Sequence, residues 1–194
     1  MKTAWFRIGW ILAAAGAVVL SGPPAVPAGE TLVTDTSVSE AAVKAVFLFH
    51  FMRYLQWPGE LDRELCPIVV LGDSAIWEPL QEIAAKKTNG SVLLRVRRCA
   101  ELKDTGRPRI LFLSDSSAFL LPETLEKFRG TSVLVVGETE GLARRGAAIN
   151  FVLRDDRVKF EINLEALKKA GIQAGSQLLR LAILVEGDKA ALER

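Results

Sequence analysis

Four short runs of β-branched and leucine residues, each closed by a turn, constrain this chain more than any other feature. They lie at 67–71 (PIVVL), 91–97 (SVLLRVR), 109–113 (RILFL) and 131–136 (TSVLVV). Helical stretches separate them. Residues 76–87 predict one helix, closed by Asn89-Gly90, and a second opens at 114–117 (SDSS), runs to Phe128 and stops at Gly130. Strands this apolar are covered on both faces, as in a parallel sheet between helices. Right-handed crossovers place the first strand centrally, with the second and third as its neighbours. The pattern then changes. Residues 147–153 and 157–163 flank Arg154-Asp155-Asp156, and Val158, Phe160 and Ile162 alternate with polar residues, which predicts an antiparallel hairpin. Two short helices follow at 164–170 and 176–185. The expected fold class is α/β: a single-domain sandwich with a mostly parallel central sheet, flanking helices and a C-terminal antiparallel hairpin.

Ahead of the first strand, Ser39 is placed to cap a helix that runs to Trp57 and ends at Pro58-Gly59. Its sequence, AAVKAVFLFHFMRYLQW, is apolar around most of its circumference, and Lys44, His50, Arg53 and Gln56 do not form one polar stripe. Such a helix is either sunk between layers or leaves an apolar face for a partner. Phe47, Phe51, Tyr54 and Trp57, with His50 among them, are the expected packing or partner face. Leu178, Leu179 and Leu181 are expected to pack on it from the last helix.

The chain opens with Lys2 and Arg7, an uncharged apolar run at 8–20, and SGPPAVPA at 21–28. The run is too short to span a bilayer. Val26 and Ala28 stand at the −3 and −1 positions of a cut before Gly29, so 1–28 reads as a cleaved secretory signal and the protein as periplasmic. A flexible arm over 29–38, a domain over 39–187 and a tail over 188–194 complete the expected organisation. Removing the leader leaves about 166 residues, with 23 basic side chains against 23 acidic ones. That neutrality argues against nucleic-acid binding.

Catalytic hardware is sparse. His50 is the one histidine, and HExxH, CxxC, GxSxG, SxxK and P-loop patterns are missing. Neither catalytic residues nor a metal or cofactor is expected. Ligands of open α/β sheets bind beyond the strand C-termini. Here that crevice would comprise Gly72, Asp73 and Ser74, then Ser114, Asp115 and Ser116, then Gly137 and Glu138. Helix capping by Ser114 or Asp115, and a plain turn at Gly72-Asp73, are the competing readings. The connection over 138–145, rich in glycine and charge, is expected to be mobile. Cys66 and Cys99 are an even count in an oxidising compartment, which favours a bridge. Parallel pairing of the first two strands would instead separate them by on the order of 15 Å, beyond the roughly 7 Å limit.

Three stretches together resemble a known family. KAVFLFHFMRYLQWP (44–58), VVLGD (69–73), and INFVLRDDRVKFEIN (149–163) followed by QLLRLA (177–182) are similar, in order and spacing, to the YfiR-like periplasmic proteins. The resemblance runs from Val43 to about Val185. It implies a non-enzymatic periplasmic regulator that binds and represses an inner-membrane signalling protein. A diguanylate cyclase is the foremost partner type, with lowered cyclic-di-GMP and biofilm formation as the output. A sensor kinase is a second partner type, and a homodimer is also implied. Val69 and Arg109 stand near places where the family commonly has cysteines, so its disulfide does not carry over. His50 replaces a usual Asn. The alternative function is a periplasmic small-ligand receptor using the strand-end crevice.

Overall fold

The structure, a computed structural model, describes residues 35–59, 66–86 and 94–188. The leader expected over 1–28, the beginning of the arm (29–34) and all of the tail after Asp188 lie outside these residues.

A seven-stranded sheet forms the centre. Its strands are β2 (Cys66–Leu71), β3 (Leu94–Cys99), β4 (Ile110–Leu113), β5 (Leu134–Gly137), β6 (Ile149–Arg154), β7 (Arg157–Asn163) and β9 (Ile183–Val185). The spatial order is β3-β2-β4-β5-β6-β7-β9. From β3 to β6 every pairing is parallel; β6 and β7 form the antiparallel hairpin, and β9 runs parallel to β7. The first strand of the α/β segment, β2, is therefore flanked by the second and third, as right-handed crossovers demand. It lies beside the β3 edge and not at the centre, which falls to β5 because the hairpin and β9 extend the sheet on the other side. Asp155 and Asp156 turn the hairpin with φ of 51° and 54°, the left-handed pair of a type I′ turn, whose twist matches the strands it joins.

Alternate residues of the strands feed two cores. Ile68, Val70, Ile110, Phe112, Leu134, Val136, Ile149, Phe151, Phe160 and Ile162 face one side. There they meet α1 (Asp35–Tyr54), α2 (Trp77–Lys86), Leu167 of α4 (Leu164–Lys169) and Leu178 of α5 (Ser176–Leu181). Val69, Leu71, Leu111, Leu113, Val133 and Val135 face the other side, against a 3-10 turn (Asp115–Leu120), α3 (Leu121–Lys127) and Leu142. Pro122 falls at the start of α3, where its missing N–H costs nothing, and this marks the switch from 3-10 to α geometry.

Several boundaries differ from the sequence expectation. Helix α1 begins at Asp35, inside the expected arm, because no glycine or proline lies between Asp35 and Pro58 to stop it. It ends at Tyr54; Leu55–Gln56 instead forms β1, a short antiparallel pair with β8 (Gln173–Ala174). The second strand is described over Leu94–Cys99 and runs two residues past its expected end, residues 91–93 lying outside the described ones. The last helix stops at Leu181, and Ile183–Val185 becomes a strand, since β-branched residues beside the open edge of β7 gain ladder hydrogen bonds there. Leu181 is consequently 67% exposed, while Leu178 is buried and Leu179 half-buried.

Helix α1 buries Ala41, Ala45, Leu48 and Phe51, a spacing of three and four residues that draws one stripe along it. Past its end Trp57 is buried, donates from Nε1 to Ser132 O at 3.1 Å and lies 5.2 Å beneath the Arg109 guanidinium. We expect Trp57→Ala to destabilise the protein by about 3–5 kcal/mol in urea unfolding; a loss under about 1 kcal/mol would contradict this packing role.

Candidate functional site

The three strand-end turns do converge. Strands β2, β4 and β5 are neighbours in parallel register, so Gly72–Ser74, Ser114–Ser116 and Gly137–Glu138 emerge at one edge of the sheet. Gly72 has φ of 85° and sits among three serine hydroxyls. A Cβ there would overlap Oγ of Ser117 and Ser114 and come within 2.8 Å of Ser116 Oγ. Only glycine satisfies both the left-handed backbone and this space. Ser114 and Ser116 hydroxyls hydrogen-bond at 2.9 Å, and the Asp73 N–H donates to Ser116 Oγ at 3.3 Å.

Around that cradle the polar groups satisfy one another. Ser74 Oγ donates to Glu138 Oε1 at 2.9 Å, and the other Glu138 oxygen takes Lys44 Nζ at 2.9 Å. Lys44 also reaches Glu40 at 2.7 Å. Burial alone would discourage its charge, but Glu40 and Glu138 outweigh that and hold its pKa above the ordinary 10.5. Thr139 Oγ1 donates to Asp115 at 2.5 Å, and Arg98 pairs with the exposed Asp73 at 3.3 Å. The crevice residues are thus brought together as a closed network that ties α1 to the sheet. Neither Ser114 nor Asp115 caps a helix through its side chain: Ser114 makes no capping bond, and Asp115 is engaged by Thr139.

Sequence reasoning missed Lys44, Arg98 and Thr139. A signal existed for Lys44, the one Lys, Arg, Asp or Glu between Ala41 and His50. A cation placed alone in an apolar helix needs a carboxylate if it is buried.

The aromatic face of α1 divides. Phe51 and Trp57 are buried and Phe47 is half-buried against the core, whereas Tyr54 is 39% exposed. His50 lies half-buried beside Tyr54, ring centroids 5.9 Å apart, and its Nδ1 has no hydrogen-bond partner. Val43 and Val46 are exposed as well. Val43, Val46, His50 and Tyr54 recur at spacings of three and four, so one outward stripe of the helix is largely apolar. The expected mobile connection is instead pinned: Leu142 and Ala143 are fully buried, and Asn163 Nδ2 donates to Ala143 O at 2.8 Å.

Backbone register keeps Cys66 and Cys99 too far apart to bridge to each other. Register pairs Cys66 with Leu94 and Leu71 with Cys99, five residues of strand apart, or about 16 Å. The Cys99 thiol is free, and burial pushes its pKa up against the opposing pull of Arg97 and Lys127. Among the described residues no cluster of three or more His, Cys, Asp or Glu side chains could hold a metal. No helix among them is long and apolar enough to cross a membrane.

Comparison with known proteins adds to this geometry. The YfiR/HmsC-like family profile matches residues 41–183. The chain belongs to the YfiR/HmsC-like family. Its members are known as periplasmic regulators rather than catalysts. No curated protein matches the sequence. Among solved structures, this YfiR/HmsC-like chain is similar to the ABC domain of Streptococcus pneumonia crystallised in complex with L-Trp, at 10% identity and a TM-score of 0.53. The likeness covers 75% of this chain and 60% of that one, and it concerns the α/β fold alone.

Two outcomes test the strand-end network. Gly72→Ala should destabilise the fold by about 2 kcal/mol or more, through backbone strain and overlap with the serines, read from the urea midpoint. The Lys44 contribution should be fully present below pH 10.5 and vanish as pH rises through the higher folded pKa. A Lys44→Met deficit that stays constant through neutral pH and shrinks only in strong alkali would meet that expectation.

Proposed function

We propose that this YfiR/HmsC-like protein is a periplasmic repressor that binds the periplasmic part of an inner-membrane diguanylate cyclase and lowers cyclic-di-GMP output, with biofilm formation as the cellular consequence. The observation that carries the reading is the outward stripe of α1. Val43, Val46 and Tyr54 are 38%, 43% and 39% exposed, on a helix whose opposite side is anchored in the core. An apolar stripe on a rigid element suits helix-to-helix docking on a partner, and family membership supplies the regulatory context. The leader over 1–28 would deliver the domain to that compartment. Lys44, paired with Glu138 at the end of β5, ties the same helix to the sheet.

A substitution on the stripe separates binding from folding. Val46→Asp should leave the thermal transition within a few degrees of wild type, since surface changes rarely exceed about 0.5 kcal/mol. In cells lacking the native copy, wild type should lower cyclic-di-GMP and Val46→Asp should not. Unchanged cyclic-di-GMP with and without the wild-type protein would sink the cyclase reading; repression by Val46→Asp equal to wild type would remove the stripe from the interface.

A further inference from the structure

A cavity among the described residues lies away from the strand-end turns. It has a volume of about 830 Å³ and is set between α3, the segment entering β5, the turn before β6, and α4. Its wall is apolar, with Leu121, Leu125, Val133, Val135 and Ala170 beside Phe128. Two backbone features shape it. Gly146, with φ of 116°, lets Leu125 approach, since a Cβ there would come within 2.7 Å of Leu125 Cδ1. At Gly130, with φ of 70°, a Cβ would meet nothing within 4 Å.

Charge at the cavity is not balanced. Three cations line it, Arg129, Arg145 and Lys169, against two carboxylates, Glu126 and Asp188. Glu126 is committed to Arg129 and Lys169 leans on Glu165 at 3.3 Å. Arg145 forms no ion pair among the described residues, and its guanidinium offers the two-pronged donor that a carboxylate fits. Asp188 marks the opposite charge on the rim, held there by its N–H to Arg144 O at 2.8 Å. With it, the lining carries three cations against two carboxylates, a net charge that one carboxylate would balance.

We infer that this cavity binds a singly charged aliphatic carboxylate, its chain on the apolar wall and its head group at Arg145. The volume lies within the range of small-molecule sites, and an apolar lining with few charged groups is their usual composition. The inference is independent of the α1 stripe, because it concerns another part of the surface and needs no partner protein.

The probe is decanoate, titrated calorimetrically into the full-length chain, with decanol and decyltrimethylammonium as head-group controls. Saturable one-to-one binding of decanoate is expected, at least about fivefold tighter than either control. Ala170→Trp, which fills the wall from a half-buried position, should weaken decanoate at least about tenfold while the thermal transition holds. Gly130→Asn is the second filling variant, since Asn tolerates the left-handed backbone and points into open space, and it serves if Ala170→Trp does not fold. Arg145→Glu should remove the preference for the anion. Absence of saturable binding, equal binding of the cationic control, or unchanged affinity in the folded filling variant would each overturn the assignment.

Discussion

Phe47 and Phe51 of α1 interlock with Phe151 and Phe160 of the hairpin, with ring centroids 5.2 to 6.2 Å apart, and Phe112 of β4 joins them through Phe151 at 6.4 Å. Edge-to-face and offset arrangements at such separations add to the area they bury. This cluster sets where α1 lies on the sheet, and the placement of other groups follows from it. Within one turn of Phe47, Lys44 reaches Glu138 at the C-terminal end of β5. Past the other end of the helix, Trp57 reaches Ser132 at the entry to the same strand. The helix thus spans both ends of β5, and its remaining face is left to solvent.

The hairpin serves two layers at once. Phe151 and Phe160 point to α1, while their neighbours Asn150, Glu161 and Asn163 are buried on the opposite side. Asn163 uses both ends of its amide: Oδ1 accepts from Ala166 N at 3.0 Å and caps α4, and Nδ2 holds Ala143 O. Asn150 is wholly buried with neither amide atom partnered among the described residues. The Asn163 bond to Ala143 O is what anchors 138–145, a segment rich in glycine and charge. Glu138 turns in to Lys44, Glu140, Arg144 and Arg145 are exposed, and Leu142 packs into the second core beside the buried Ala143.

The strand-end crevice illustrates how far residue types can be read. Glycine, serine and aspartate at three strand ends were legible as a gathering place because parallel register dictates it. Their occupation was not legible. Whether a Ser hydroxyl faces solvent or another Ser depends on positions in three dimensions, and here Ser74 answers Glu138, Ser114 answers Ser116, and Asp115 takes the Thr139 hydroxyl. The cavity is a sharper case. Its wall draws on α3, β5 and α4, segments far apart in the chain with no shared motif.

By itself the sequence determined the alternation of strands and helices, the place of β2 between β3 and β4, the antiparallel hairpin and the family resemblance. Each of these rests on local periodicity, turn chemistry or the handedness of a connection, all written within a few tens of residues. It also carried the argument against the disulfide, since parallel strands separate Cys66 from Cys99 whatever surrounds them. Tertiary structure alone decided which stripe of an all-round apolar helix is buried, because that depends on where the phenylalanines of a hairpin a hundred residues later come to rest. It alone decided that 183–185 is a strand, because only β7 offers the edge that makes extended backbone pay. Buried polar contacts and cavities belong to this second class for the same reason: they are properties of surfaces meeting, and no single segment contains both.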